Sequence, residues 1–401
     1  MKMKRWIFFA ALLVAAPFVF RSGLALSLLS QMGYVAIICL SYNLLFGQGG
    51  MLSFGHAVYV GTGAFAAAHV VNAASAAGWW LPLPVVPLVG GVAGAGVAFV
   101  LGFVTTRKAG TAFAMITLGI GELVGAMSNT LPGLFGGEGG ISINRVYGGG
   151  WMGLTFGPQE QVYGLIAVYC FVCTAVLYAF TGTPLGRLLN AVRDNPERVE
   201  FIGYSAQRVR WHAFTIAGFF AGIGGALATI NFEIVTSGEA FSAIRSGGYL
   251  LFTFLGGASL FAGPLVGAVL LVMATMLLSE WTQAWLLYLG LGFCLLVMYA
   301  PGGVAGLWMN NWALLKAGLG ARLWRGYLTL FLSGAALAAG VIGLVETVYR
   351  WRLQFDYVPS LWPMLALLAL ALIGGFAWVF AWRRFHPRWL EAQVIVAGAS
   401  A

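Results

Sequence analysis

Long apolar segments recur along almost the whole chain and constrain its fold more than any other feature. Because only 8% of the 401 residues are charged, no water-soluble fold could cover this apolar surface. A helix needs roughly 20 apolar residues to cross the hydrocarbon of a bilayer, so the sequence predicts an all-α, polytopic transmembrane helix bundle of about 10 to 12 crossings. The segments lie near residues 6–20, 24–46, 52–71, 83–106, 112–131, 162–181, 211–231, 247–261, 263–279, 284–300, 328–348 and 361–382.

The basic residues lie between the apolar segments, and no polar domain gathers them. The formal net charge of +9 therefore does not indicate a nucleic-acid partner. Counting from a cytoplasmic N-terminus places four basic stretches, 107–108, 182–210, 301–327 and 383–384, on one side of the membrane. This distribution follows the positive-inside rule. We therefore predict that the N- and C-termini both face the cytoplasm.

Two parts of this count stay open. Segment 6–20 could be a cleaved signal peptide, although the lack of a clear cleavage site before Arg21 favours a retained helix. Segments 247–261 and 263–279 are short and meet at Gly263 and Pro264. A hairpin that crosses only part of the membrane is therefore an alternative to two full crossings.

The most informative interior stretch runs over residues 41–56 and contains four glycines between positions 47 and 55. Gly costs about 1 kcal/mol relative to Ala inside a helix, so this stretch predicts Gly-interrupted helices. Non-helical backbone at membrane depth occurs only where protein buries it or where it lines a watery cavity. We interpret the break as lining a substrate pathway, with Asn43, Ser53 and His56 as polar contacts. Close packing of small residues is the alternative.

Two further features bear on the same pathway. Glu122 lies inside an apolar segment with no cation a helical turn away. An intramembrane carboxylate normally faces the bundle interior or a water-filled space, so Glu122 fits either a residue that lines the pathway or a structural hydrogen bond. A second Gly-rich interruption spans 256–264, and paired interruptions in two halves of a transporter indicate a central binding site.

The stretch 182–210 is the strongly polar segment in the middle of the chain. Asn195 suits a helix N-cap, Pro196 the first helical position and Gly203 the C-terminal stop, which predicts a short helix over 196–202. We expect Val199 and Ile202 to share one apolar face of it. Because so short a helix is marginal alone in water, its caps and apolar face favour docking to a partner over a loop that only fixes topology.

No catalytic or metal-binding pattern is visible. The dipeptide Gly-Lys does not occur, so the chain has no phosphate-binding loop for ATP. No Ser-His-Asp or paired-carboxylate pattern occurs, and the histidines lack metal-ligand spacing. We therefore predict that the chain is not an enzyme and has no catalytic residue, metal or cofactor. The histidines are His56, His69, His212 and His386.

Several motifs, in this order and with this approximate spacing, resemble the LivM type of high-affinity branched-chain amino acid permease in the ABC transporter superfamily. The resemblance runs approximately from residue 24 to 307. Where that family often has an arginine three residues after the glutamate, this sequence has Gly125. The matching motifs are NLLFGQGGMLSFGH (43–56), AMITLGIGE (114–122), GGEGGI (136–141), GRLLNAVRDN (186–195), EFIG (200–203), AGIGGA (221–226) and the stretch 256–268.

The resemblance implies a permease domain over 1–310, followed by an additional segment, 311–401, with two apolar helices that the usual pattern lacks. It implies import of branched-chain amino acids or related small amides across the bacterial inner membrane. The implied partners are a LivH-like second permease, two ATPase subunits, a periplasmic substrate-binding protein and membrane lipid. A stand-alone channel or secondary transporter for urea or a similar neutral solute is the alternative, and it would not need the capped cytoplasmic helix.

The resemblance also implies site residues. Gly137 and Gly139 would lie on the side that receives substrate. The helix near 196–203 would be the segment coupled to the ATPase, with Arg193 and Glu200 setting orientation at its rim. The implied coupling residues are Arg187, Arg193, Asn195, Val199, Glu200, Ile202 and Gly203.

Overall fold

The chain is almost entirely helical over the residues that its computed structural model describes, 2–147, 154–282, 284–300, 302–317, 320–353 and 360–398. The helices are α1 (Lys2–Val19), α2 (Gly23–Asn43), α3 (His56–Ala77), α4 (Val86–Thr105), α5 (Gly110–Thr130), α6 (Pro132–Phe135), α7 (Gln159–Thr181), α8 (Pro184–Asp194), α9 (Pro196–Phe201), α10 (Ala206–Phe232), α11 (Ser237–Ala240), α12 (Ala243–Gly256), α13 (Gly263–Met273), α14 (Ser279–Trp281), α15 (Trp285–Tyr299), α16 (Gly303–Lys316), α17 (Gly320–Leu353) and α18 (Leu361–Gly398). Two short strands, β1 (Ile141–Ser142) and β2 (Ile234–Val235), pair antiparallel.

The described helices confirm a polytopic membrane bundle. Within these ranges, nine helices are long and apolar enough to cross a membrane, or ten if the bent pair Trp285–Tyr299 and Gly303–Met309 is one span. The prediction of ten to twelve lies slightly above this number for two reasons. The first apolar segment forms only the shorter apolar helix Trp6–Val19, and α12 has only 14 residues.

The region around 256–264 forms a tight helical hairpin. Helix α12 ends at Gly256, where a Cβ would lie 2.1 Å from the carbonyl oxygen of Gly263. Gly257 has φ +115°, a left-handed conformation that favours glycine and turns the chain. At 1.5 Å per residue, α12 is about 21 Å long, which is less than the roughly 30 Å of hydrocarbon. Helix α12 alone is therefore too short to cross the hydrocarbon, whereas α13 is part of a helix, Gly263–Trp281, that is long enough to cross.

Helices α3, α4 and α10 cross through glycines that bring their backbones into contact. A Cβ on Gly63 would lie 2.3 Å from the carbonyl oxygen of Gly222, and one on Gly94 would lie 2.5 Å from that of Gly218. Small residues allow membrane helices to approach this closely, so that van der Waals packing replaces the hydrophobic effect. The core around this crossing contains buried aromatic side chains such as Tyr59 and Phe214.

The chain divides into two compact units, one comprising Met1–Met273 and Pro301–Val304, the other Ala274–Ala300 and Ala305–Ala401. The first unit contains α1 to α13. In the second unit, α17 and α18 form a hairpin in which a Cβ on Gly340 would lie 2.5 Å from the backbone nitrogen of Ala371. These two helices have 34 and 38 residues.

Candidate functional site

The Gly-rich stretch interrupts the helical structure between α2 and α3, which confirms the predicted break. Helix α2 passes into a π-helical turn at Leu44–Gln48, and residues 49–55 are non-helical. Gly50 has φ +64°, which favours glycine at this position. The chain therefore leaves the helix at Gln48 and begins a new helix at His56.

The interrupted segment folds back alongside the end of α2. The hydroxyl of Tyr42 donates a hydrogen bond to the carbonyl oxygen of Ser53 at 3.0 Å, and Ser41 Oγ lies 2.8 Å from His56 Nε2. Asn43, Ser53 and His56, which the sequence predicted as polar contacts, thus lie in one buried region. We call Ser41, Asn43, Ser53 and His56 the buried polar cluster.

Two neighbouring helices hold the returning backbone. The backbone N–H of Phe54 donates to Thr117 Oγ1 on α5 at 3.1 Å, and the backbone N–H of Ala57 donates to Ser246 Oγ on α12 at 2.8 Å. Buried N–H groups need such partners. Sequence reasoning missed both hydroxyls. Thr117 lies within the 114–122 motif, whereas nothing in the sequence around Ser246 indicated its role.

We assign the tautomer of His56 from the hydrogen bonds of Ser41. Ser41 Oγ donates its own proton to the carbonyl oxygen of Ile38 at 2.7 Å, so it accepts from His56 Nε2. A neutral imidazole protonated at Nε2 has an acceptor at Nδ1. His56 Nδ1 is buried and has no hydrogen-bond partner among the described residues.

Two further polar atoms of the cluster are also buried without a hydrogen-bond partner among the described residues. Asn43 Oδ1 and Ser53 Oγ are buried without a partner in the described part of the chain, and their residues are 2% and 0% exposed. Leaving a buried polar atom unsatisfied costs about 1–3 kcal/mol. The cluster thus presents two acceptors, His56 Nδ1 and Asn43 Oδ1, beside one hydroxyl, a set that complements N–H donors.

The other predicted pathway residues do not join the cluster. Glu122 is exposed on α5 and makes no hydrogen bond or ion pair within the described residues. Gly137 and Gly139 form a 3₁₀ turn that leads into β1, and β1 pairs with β2 just after α10. This turn therefore lies at the opposite end of the 27-residue α10 from α8 and α9.

The capped helix forms as α9, but its apolar residues are arranged differently from the prediction. Asn195 Oδ1 accepts the backbone N–H of Arg198 at 3.1 Å, and Gly203 follows with φ +90°. The prediction of one shared apolar face is wrong, because Val199 is 2% exposed while Ile202 is 67% exposed. The helix ends at Phe201, so the helical spacing from Val199 does not extend to Ile202.

The charged residues predicted for this region are all exposed, and one of them makes a further contact inside the chain. Arg187 and Glu200 are exposed, as a rim position requires. Arg193 is exposed as well and pairs through Nε with Asp194 Oδ1 at 3.1 Å. It also donates from Nη1 to the carbonyl oxygen of Gly47 at 2.5 Å, a contact that the sequence did not predict, and its place at the rim stays a prediction. Asn190, which the sequence did not single out, donates to Gln48 Oε1 at 3.0 Å.

The sequence family follows from a comparison with known proteins. A family model described as branched-chain amino acid transport system / permease component matches residues 24–301. The chain belongs to this permease family. The matched residues include the buried polar cluster, α8 and α9, whereas α16, α17 and α18 lie beyond them.

Individual relatives agree with this permease assignment. The chain is 30% identical over 326 residues to the high-affinity branched-chain amino acid transport system permease protein LivM of Escherichia coli (strain K12), covering 75% of each chain. It has the same identity and coverage with LivM of Salmonella typhimurium. A shorter match, 36% over 86 residues, links 21% of the chain to 23% of the nucleoside ABC transporter permease protein NupB of Lactococcus lactis. No solved structure matches the chain.

Proposed function

We propose that this chain is a permease subunit of an ATP-driven importer for branched-chain amino acids or related small amides in the bacterial inner membrane. Two separate ATPase subunits energise it, and a LivH-like second permease and a periplasmic substrate-binding protein complete the importer. Membership of the permease family and the names of the LivM relatives support this proposal. Since the chain has no phosphate-binding loop, the energy of ATP enters through a subunit contact.

The buried polar cluster is the observation that supports a substrate pathway at this place. An amino acid or amide presents N–H donors, and His56 Nδ1 and Asn43 Oδ1 are acceptors without partners among the described residues. A small polar solute passing between α2, α3, α5 and α12 would satisfy these atoms. Because the cluster is buried, the solute reaches it when these helices separate during the transport cycle.

The exposed end of α9 is the proposed contact with an ATPase subunit. Phe201 is 88% exposed and Ile202 is 67% exposed, and large apolar side chains of this kind anchor protein interfaces. Arg187 and Glu200 are exposed nearby in the sequence and set orientation at the rim. Val199 packs within its own chain and connects α9 to the bundle.

The test is uptake of labelled leucine, urea and a short amide in cells that express this chain with and without its ATPase partners. We expect leucine or amide uptake that requires the ATPase. Uptake that persists without any ATPase would instead support the channel or secondary-transporter alternative.

A paired substitution tests the contact itself. The double variant Phe201→Asp/Ile202→Asp should lose co-purification with the ATPase and stop uptake, while its amount in the membrane is unchanged. Val146→Asp, which places one such charge on an exposed apolar residue of the 132–158 connection, is the control. Normal ATPase binding by the double variant would exclude this surface as the contact.

A further inference from the structure

We propose that Arg193 and Asn190 form a link that carries movement of α8 to the Gly-rich break, which makes Arg193 a positioning residue for the buried polar cluster. This inference rests on the proposed ATP-driven import. It adds a route by which a subunit contact at α9 reaches the pathway. We assign Arg193 to the contact with Gly47 and not to the rim of the ATPase interface, which is the position that the family resemblance implies.

Two hydrogen bonds join α8 to the π-helical turn at Leu44–Gln48. The guanidinium of Arg193 donates to the carbonyl oxygen of Gly47, and the amide of Asn190 donates to Gln48 Oε1. Hydrogen bonds from a charged donor are roughly twice as strong as neutral ones. The carbonyl of Gly47 is therefore fixed to a side chain 146 residues away in sequence.

Glycines allow α8 to approach this closely. A Cβ on Gly50 would lie 2.8 Å from Arg193 Cγ, and Gly50 also has a positive φ. A Cβ on Gly49 would lie 3.1 Å from Leu189 Cδ1. Residues 189, 190 and 193 lie on one face of α8, so this whole face packs against the break. The contact transmits displacement in either direction because packed interiors have low compressibility.

The route from the link to the cluster is short. Asn43 lies one helical turn before Gly47, and a Cβ on Gly47 would lie 2.2 Å from Asn43 Oδ1. A shift of Gly47 therefore acts directly on one of the two unpartnered acceptors. The route also reaches the proposed ATPase contact. The C-terminal end of α8, which carries Arg193, is followed immediately by α9, whose N-cap is Asn195, and α9 carries the exposed Phe201.

The experiment measures uptake and ATP hydrolysis by the complete importer reconstituted with Arg193→Ala. We expect the variant to bind the ATPase and hydrolyse ATP as the unmodified complex does, while solute moved per ATP falls about tenfold, the effect of losing one hydrogen bond from a charged donor. The variant also loses the ion pair between Arg193 and Asp194, which contributes little because both side chains are exposed. Arg193→Lys, which retains a donor, should recover part of this loss. Arg208→Ala is the matched control, because Arg208 is exposed on the first turn of α10 and its side chain makes no hydrogen bond or ion pair with the described residues.

A double-mutant cycle on Gln48→Ala and Asn190→Ala tests the second hydrogen bond. If the two residues act through each other, the double variant should lose no more coupling than either single variant. Unchanged transport per ATP in Arg193→Ala, or additive losses in the cycle, would overturn the link. If Arg193→Ala does not accumulate in the membrane, the cycle alone decides. Failure of the import proposal is distinguishable, because the unmodified complex would then show no ATPase-dependent uptake.

Discussion

At the scale of single residues, two serines of the buried polar cluster differ in their hydrogen bonding. Ser41 Oγ donates to Ile38 and accepts from His56, whereas Ser53 Oγ has no partner among the described residues. Removing a partnered hydroxyl leaves its neighbour without a hydrogen-bond partner, while removing an unpartnered hydroxyl leaves no other group unsatisfied. Substitutions at the two positions can therefore distinguish an effect on protein stability from an effect on transport.

We expect Ser53→Ala to leave the free energy of unfolding unchanged or raise it by about 1 kcal/mol, since a buried unpartnered hydroxyl is itself costly. Its uptake rate should fall, because the pathway loses a hydroxyl that meets the solute. Ser41→Ala, the control, should lower the free energy of unfolding by about 1–3 kcal/mol because His56 Nε2 loses its acceptor. Thermal unfolding in detergent and uptake assays measure both effects. Equal destabilisation by the two variants would indicate a structural role for Ser53.

The ion pair between Arg145 and Glu233 gives a second residue-level prediction. Arg145 Nε lies 2.9 Å from Glu233 Oε1, and Nη2 donates to the carbonyl oxygen of Gly157 at 2.9 Å. Arg145→Gln should lower the free energy of unfolding by about 1.5–3 kcal/mol, because it removes hydrogen bonds from a charged donor.

Glu233→Gly should be nearly neutral in comparison. Glu233 has φ +58°, and relief of a left-handed conformation returns about 1–2 kcal/mol. Loss of an ion pair whose carboxylate side chain is 42% exposed costs about 0–1 kcal/mol. Thermal unfolding of both variants decides the comparison. A larger loss in Glu233→Gly than in Arg145→Gln would show that the ion pair itself is the dominant contribution.

The sequence predicted part of the cluster at this scale. Asn43, Ser53 and His56 were identifiable because glycines and polar residues coincide in one short stretch. Thr117 and Ser246 were not, because they contact that stretch across 63 and 189 residues of sequence. Nor does spacing along the chain reveal that Arg193 turns towards Gly47, since this depends on where α8 packs.

At the scale of helices, the close crossing of α3, α4 and α10 can be tested by comparing two glycines of α4. A Cβ on Gly94 would lie 2.5 Å from the carbonyl oxygen of Gly218, whereas one on Gly96 would meet nothing within 4 Å. We expect Gly94→Ala to push α4 and α10 apart and cost about 1–3 kcal/mol, as overpacking does. Gly96→Ala should be tolerated. Thermal unfolding and the amount of folded protein measure the difference, and equal behaviour would contradict the close crossing.

The structural elements that could be predicted are those specified by residues close together in the sequence. The break at 49–55 follows from the helix cost of glycine, and α9 follows from its capping residues. The apolar face assigned to α9 was wrong because residues three apart share a face only inside a helix. Ile202 lies just beyond the end of α9, and the sequence could not place this end to within one residue.

At the scale of the whole molecule, topology remains a prediction from the basic residues. We expect Tyr204, which follows α9, to face the cytoplasm and Asn144, in the connection after β1, to face the opposite side. Single cysteines introduced at these positions, in a variant without the native cysteines, should react with impermeant reagents from opposite sides. Labelling of both from the same side would refute the assigned topology.

The length of the hairpin formed by α17 and α18 has a consequence for the surrounding lipid. At 1.5 Å per residue, the 34 residues of α17 extend about 51 Å, against roughly 30 Å of hydrocarbon. To hide this length entirely, α17 would need a tilt of about 54°, beyond the observed range of roughly 0–40°. Part of the helix therefore stands in the headgroup region or in water. In a thinner bilayer more turns of the hairpin lie outside the hydrocarbon, and in a thicker bilayer fewer do. The hairpin therefore tolerates bilayers of different thickness without a change in its own packing.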